Sequence, residues 1–267
     1  MSDFVGRYGP WAVVAGASSG LGEAFARQLA ARQLNLVLFA RGAEKLCALA
    51  SELEKTHGIV AEAVPLDLGA PDLLDRVRAA VGEREVGLLV YNAALSLIGP
   101  FLTQSLDDKL RLLDVNCRGP LILADELGRR MVERGRGGII VMTSLAASRG
   151  SPMVVTYAAS KAFDLVLAEG LWDELGPHGV DVLACRAGAT RTPAYEATGP
   201  EAGHAPLMEP GPVVTAALAA LGSGPSVVPG LMNRIGELVL GRLLPRRAAI
   251  RVLGRATRAM YPRLPPR

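Results

Sequence analysis

Trp11-Ala12-Val13-Val14-Ala15 runs without a break into Gly16-Ala17-Ser18-Ser19-Gly20-Leu21-Gly22, and a helical pattern then continues to Arg32. The five apolar residues read as a strand buried on both faces. Glycines let the chain turn tightly and let its backbone come close to a phosphate. The helix start behind them offers free N–H groups and the positive end of the helix dipole. A glycine-rich turn between a first strand and a first helix is where an open parallel sheet holds a pyrophosphate. A merely tight turn would need fewer glycines. The spacing, Gly-x3-Gly-x-Gly, differs from the Gly-x-Gly-x-x-Gly of many dinucleotide folds.

Outward from this stretch, strand-like and helical runs alternate. Strands are expected at Trp11–Ala15, Asn35–Ala40, Val60–Leu66, Gly87–Tyr91, Gly138–Thr143, Val180–Arg186 and Ser226–Val228. Helices are expected near Gly20–Arg32, Ala43–His57, Pro71–Val81, Leu106–Arg134 (as two helices), Thr156–Leu175 and Pro210–Leu221. The alternation predicts an α/β fold, a doubly wound Rossmann-type parallel sheet of about seven strands in a single domain. The catalytic domain is expected over 1–233, with a Gly/Pro/Thr-rich substrate loop at 187–212 and a basic helical extension at 234–267.

Composition agrees. Of 267 residues, 50% are hydrophobic and only 4% aromatic, so the core must be built from Ala, Val and Leu. No apolar run reaches the ~18 residues a spanning helix needs, and no basic-then-apolar leader precedes Trp11. Cys47, Cys117 and Cys185 are odd in number and widely spaced, which fits reduced thiols in a cytoplasmic protein. His57, His178 and His204 show no ligand spacing, so no metal is expected.

Two further places carry chemistry. After the second strand stand Ala40 and Arg41. An acid there would bind ribose hydroxyls, whereas an arginine pairs with a 2′-phosphate and stacks on adenine. NADP(H) is therefore favoured over NAD(H), with a solvated arginine as the bland alternative. Tyr157 and Lys161 lie four apart, on one helix face, and Ser144 stands thirteen residues earlier. A phenol is a poor base near neutrality, its ordinary value being about 10. A fixed cation beside it favours the phenolate, so the pair can serve as proton donor and acceptor. By itself the pair is weak evidence, because many helices carry Tyr and Lys at that spacing.

Together the motifs resemble the short-chain dehydrogenase/reductase family, over about residues 8–228. They comprise Gly16–Gly22, Asp67, Tyr91-Asn92-Ala93-Ala94, Asn116, Ser144, Tyr157, Lys161, and Ala187-Gly188 with Thr190 and Thr192. Tyr8–Trp11 and Gly179–Pro193 also look like bacterial hydroxysteroid dehydrogenases. The resemblance implies roles. Tyr157 exchanges the proton, Lys161 holds the nicotinamide ribose, and Ser144 steadies the substrate oxygen. Asn116 holds a water that links Lys161 to solvent. Gly16, Ser18, Ser19, Gly20, Leu21 and Gly22 cradle the phosphates, and Asp67 with Leu68 meets the adenine. Asn92, Ala93 and Ala94 support the adenosine half, and Gly188, Thr190 and Thr192 the nicotinamide half. Three small residues depart from the family pattern: Ala15, Ala94 and Ala187. Ala94 is the one to watch, since a β-carbon disfavours positive φ.

The implied reaction moves a hydride between nicotinamide and a carbonyl or carbinol carbon. The substrate wall is expected from Leu95, Leu145, Ala146, Pro193, Tyr195 and Met208, which suits a bulky apolar ketone or alcohol. Arg149 and Arg191 lie near in sequence. A 3-oxoacyl thioester is the rival substrate, and a non-catalytic cofactor-binding sensor or scaffold is the rival class. Family resemblance implies a homodimer or homotetramer. Residues 234–267 hold nine arginines and one acid, a charge of +8 against +3 for the whole chain. Arg247, Arg251, Arg255 and Arg258 with Ile250, Leu253 and Tyr261 suggest a basic amphipathic helix able to touch an anionic membrane. The commoner reading is duller: a helix that packs its apolar residues on the body or a partner subunit and leaves its arginines in water. Nucleic acid is disfavoured because no aromatics are interleaved.

Overall fold

A computed structural model describes residues 2–200 and 207–262. Residues 201–206 of the expected substrate loop, including His204, and 263–267 of the tail lie outside the described residues. The elements are α1 (Ser2–Tyr8), β1 (Trp11–Ala15), α2 (Gly20–Ala30), β2 (Asn35–Ala40), α3 (Ala43–His57), β3 (Ala61–Pro65), α4 (Leu73–Val81), β4 (Val86–Tyr91) and α5 (Leu106–Leu113). They continue with α6 (Gly119–Arg134), β5 (Gly137–Ser144), α7 (Val155–Leu175), β6 (Val180–Ala187), α8 (Pro193–Ala197), α9 (Pro210–Ala220), β7 (Ser226–Val227), α10 (Leu231–Leu238) and α11 (Arg246–Met260).

The seven strands form one sheet in the order β3-β2-β1-β4-β5-β6-β7, and every pair is parallel. Alternate side chains of each strand feed opposite cores. Ala12 and Val14 pack with Leu36, Leu38, Leu88 and Val90 on the face covered by α2, α3 and α9. Val13 and Ala15 pack with Val37, Phe39, Leu89 and Tyr91 on the face covered by α4, α6 and α7. Small residues in β1 let helices press close on both sides, which is why so few aromatics suffice. The order reverses between β1 and β4, and ligands of open parallel sheets bind outside the strand ends at that point.

Three features were not anticipated. α1 closes the opposite end of the sheet, where Tyr8 donates to Asp181 Oδ2 at 2.6 Å. The helical stretch 106–134 is interrupted at Asp114–Arg118 by a π-turn that contains Asn116. The expected boundary at 233/234 falls inside α10, and the C-terminal helices are tied to the body. Arg186 pairs with Glu237, Ser148 donates to Glu237 Oε2 at 2.7 Å, and Arg149 donates to the Gly241 carbonyl.

Candidate active site

β1 ends at the glycine turn, and two glycines there are demanded by geometry. Gly16 has φ +86°, and a β-carbon on it would meet Ala93 backbone atoms at 2.8 Å. A β-carbon on Gly22 would stand 1.9 Å from the Gly16 carbonyl oxygen. Asn92 Nδ2 donates to that same oxygen at 3.1 Å, and the backbone N–H groups of Asn92 and Ala93 both reach the Ala15 carbonyl at 2.9 Å. The turn is thus fastened to the end of β4. Ser19 caps α2 with no side-chain hydrogen bond to its first turn, so those N–H groups face the groove unclaimed by a cap.

The groove opens into a cleft of about 580 Å³ that runs from Arg41 to Tyr195. Gly16, Ser18, Ser19, Gly20, Leu21, Arg41, Asp67, Leu68, Asn92, Ala93 and Ala94 line one end. Ser144, Tyr157, Lys161, Gly188, Thr190 and Thr192 line the middle. A backbone cradle too tight for any β-carbon, uncapped helix N–H groups and an exposed arginine fit a dinucleotide. Gly22 lies under this cradle, behind Gly16, and does not itself line the cleft. Ala94 is accommodated without strain. Among the described residues other than glycine, only Gln33 and Met153 have positive φ.

Asp67 is an ion-pair partner of Arg111 and accepts from Gly69 N–H at 3.1 Å. Burial pushes its carboxyl up, but Arg111 outweighs this and holds it below the usual carboxylate range. A cation at residue 111 was not foreseen. It leaves Arg41 as the unpaired guanidinium at the adenosine end among the described residues.

The middle of the cleft is built on α7. Thr143 at the end of β5 donates to the Lys161 carbonyl at 2.6 Å and fixes the helix against the sheet. Lys161 is fully buried. Its Nζ donates to the Met142 carbonyl at 2.8 Å and to Asp164 Oδ2 at 2.9 Å. Burial alone would lower the ammonium; Asp164 and Tyr157 together outweigh it and hold Lys161 above its ordinary range. Burial also raises the Asp164 carboxyl, with Lys161 pulling against it. A carboxylate at 2.9 Å and a carbonyl at 2.8 Å both favour the Lys161 cation. Asp164 was overlooked in the sequence, yet its place three residues past Lys161 is on the same helix face.

Asn116 is completely buried. Its Oδ1 accepts from Leu95 N–H at 2.8 Å, while its Nδ2 donates to the Leu95 carbonyl and to Ser160 Oγ, each at 2.9 Å. Ser160 in turn donates to the Tyr157 carbonyl at 2.8 Å. The amide's two N–H groups are therefore committed to a bridge between the loop after β4 and the helix that carries Tyr157. Ser144 accepts from Ala146 N–H at 3.2 Å, which aims its hydroxyl oxygen from the strand end.

The far end is apolar, from Leu95, Ile98, Ala146, Val154, Ala194 and Tyr195. Of the expected wall, Leu95, Ala146 and Tyr195 line the cleft, and three residues do not. Leu145 belongs to the short 3-10 turn after β5. Pro193 starts α8 with its exposed ring outside the lining. Met208 pairs with Thr190 in a short parallel bridge, and its sulfur turns to Asn233 Nδ2 at 3.2 Å. Arg149 bonds the Ser148 carbonyl at 2.8 Å and Arg191 pairs with Glu209 at 2.7 Å, so neither faces the cleft. Thr257, Met260 and Tyr261 supply the missing wall. Tyr195 OH lies 3.9 Å from Met260 Sδ, and Thr198 Oγ1 lies 3.1 Å from Tyr261 OH. No local motif announced these contacts, because they join α8 to a helix some sixty positions on.

A glycine cradle at the switch point, joined to a buried Tyr/Lys helix, defines a dinucleotide-dependent oxidoreductase fold. The chain belongs to the short chain dehydrogenase family, whose model matches residues 10–202. It is 38% identical over 182 residues to a very-long-chain 3-oxoacyl-CoA reductase of Podospora anserina, covering 66% of this chain and 54% of that protein. The match thus spans about half the length of that relative. A solved 7beta-hydroxysteroid dehydrogenase is 28% identical with TM-score 0.87, covering 94% of this chain and 98% of that one. A short-chain dehydrogenase from Sphingobium yanoikuyae, solved in complex with NADPH, is 32% identical with TM-score 0.78, covering 88% and 94%.

Proposed function

We propose that the protein is an NADP(H)-dependent oxidoreductase that interconverts a bulky apolar ketone, steroid-like or alicyclic or aryl, with its secondary alcohol. One observation carries the reading. Ser144, Tyr157 and Lys161 meet in a single cleft whose far wall is apolar and, among the described residues, carries no arginine or lysine. When bound, the nicotinamide supplies or accepts the hydride. The chain's own residues do the rest. Tyr157 OH gives or takes the proton at the substrate oxygen. Lys161 presents its cation beside the phenol. Ser144 donates a hydrogen bond to the same oxygen as its charge grows. The cradle and Thr190–Thr192 hold the cofactor in place, and Arg41 distinguishes a 2′-phosphate. The NADPH complex of the Sphingobium relative supports the cofactor, and the hydroxysteroid relative the substrate class.

A 3-oxoacyl thioester is the second reading, favoured by the Podospora relative. Against it, Arg149 and Arg191 are turned away from the cleft, and among the described residues no arginine or lysine lines its apolar end. NADPH oxidation measured against steroids, cyclic and aryl ketones, and 3-oxoacyl-CoA decides between them. Turnover confined to the thioesters would overturn the ketone reading. NADPH binding without turnover on any substrate would mean a sensor or scaffold.

Self-association belongs to the same reading. Leu106, Leu110 and Leu113 of α5 and Val155, Phe163 and Val166 of α7 are exposed, a patch that a second copy would cover. The compartment proposed is the reducing cytoplasm. All three cysteines are free, and burial pushes the Cys185 thiol up to about 12. No described helix is long and apolar enough to cross a membrane.

A further inference from the structure

Helix α11 packs on the body as the commoner reading of the basic segment expects. Ile250, Leu253 and Tyr261 turn towards the body, and Gly254 packs against Pro152. The arginines of α11 point out: Arg246, Arg247, Arg251, Arg255 and Arg258 are all exposed. Among the described residues none of the five has an acidic partner. The apolar surface comes instead from the helix before it. On α10 and the π-turn that extends it to Leu243, the inward positions are Asn233, Gly236, Glu237, Leu240 and Gly241. The outward positions should be polar in a surface helix. They are Leu231, Met232, Ile235, Leu238, Val239 and Leu243, with only Arg234 and Arg242 among them. Leu231 is 70%, Met232 61% and Leu243 67% exposed. A row of six large apolar side chains facing water is more than scattered surface hydrophobicity and marks a docking face.

We infer that this face seats on an anionic lipid surface, with α10 lying flat in the headgroup region and the α11 arginines contacting lipid phosphates and carboxylates. Charge selects the occupant. Seven exposed arginines (234, 242, 246, 247, 251, 255 and 258) lie within or follow the apolar row along the chain, and the one acid of the segment, Glu237, is turned inward onto Arg186. A second copy docking here would bring like charges together, and the apolar patch on α5 and α7, which carries Asp107, Asp108, Glu169 and Asp173, suits self-association better. Large exposed apolar side chains accompanied by arginines bind an anionic interface by this combination of burial and charge. Leu231–Leu243 spans about 20 Å at 1.5 Å per residue, enough to bury the row without crossing. The inner side of α11 lines the cleft through Thr257 and Met260, so the α11 arginines stand on the outer side of a helix that walls the substrate end.

Co-sedimentation of the full chain with vesicles tests this. The probes are phosphatidylcholine alone and phosphatidylcholine with about 30% phosphatidylserine, at about 0.05 and 0.5 M salt. Binding is expected to the anionic vesicles at low salt, falling with salt. Ile235→Ser/Leu238→Ser should lower partitioning about tenfold or more, and Arg247→Glu/Arg251→Glu by a similar factor. Both variants are exposed, and unchanged thermal unfolding checks that each is folded. Absence of sedimentation with anionic vesicles would overturn the inference. So would binding indifferent to Ile235→Ser/Leu238→Ser. If that variant instead halves the mass in solution while the wild type ignores vesicles, the face is a contact between copies and the inference fails.

Discussion

Replacing Asp164 by Leu should be the most damaging conservative-volume change near the cleft, although Asp164 was assigned no chemical role. Its side chain is 0% exposed and that of Lys161 only 3%, with N and O 2.9 Å apart. At an effective dielectric of about 20, two unit charges at that distance attract by about 6 kcal/mol. Desolvation of both ions offsets much of this, so the net worth of the pair is small. Removing one partner is a different matter, because it strands a buried charge, at about 3–5 kcal/mol. Against a typical stability of about 5–15 kcal/mol that is a large share. Only the Met142 carbonyl would still hold the ammonium. Removing both, in Lys161→Met/Asp164→Leu, should return stability to within about 2 kcal/mol of wild type. Urea unfolding of the four proteins gives the coupling energy directly. The double variant should be folded and inactive, which separates the structural from the chemical role of Lys161. A cost below about 1 kcal/mol for Asp164→Leu would refute the reasoning. So would a double variant no more stable than the worse single one.

Tyr157→Phe should abolish turnover while NADPH still binds, as read by quenching of protein fluorescence; near-normal turnover would sink the proton-transfer role. Arg41→Ala should weaken NADPH far more than NADH, and equal loss for both would count against the 2′-phosphate contact. Gly22→Ala forces a β-carbon into the Gly16 carbonyl, so thermal unfolding should show loss of stability by several degrees or failure to fold, even without cofactor. Val166→Asp on the exposed side of α7 should lower the mass measured by light scattering if that helix meets a second copy.

The sheet was legible because its strands are continuous apolar runs between turn residues, and all seven appear within a residue or two of the expected limits. Helix α3 could be bounded at both ends because Gly42 precedes it and Gly58, at φ +68°, stops it. Residues of the site that sit on a turn or one helix face were also legible, since spacing along the chain fixes their neighbours. What failed was anything decided by long-range packing. Met208 was expected in the substrate wall, but Asn233 and Gly230 draw it away. Arg111 reaches Asp67, in the loop after β3, from α5. The π-turn at Asp114–Arg118, which contains Asn116, leaves no clear trace in local propensity. The inward turn of Ile250 and Leu253 agrees with the commoner expectation for the basic segment, a helix packed on the body with its arginines in water.

The cleft is assembled from two unequal inheritances along the chain. The groups that would handle cofactor and proton occupy strand ends, the turns that follow them and one long helix, from Gly16 to Thr192. The substrate wall draws on α8 and the end of α11, joined only by side-chain contacts such as Tyr195 with Met260 and Thr198 with Tyr261. Changes in those contacts would redraw the shape a substrate must have while leaving the Tyr157 helix anchored by Thr143, Ser160 and Asn116. The architecture therefore favours evolvability. New selectivity can be explored on α8 and α11 with little risk to the chemistry, and directed evolution should concentrate its libraries there.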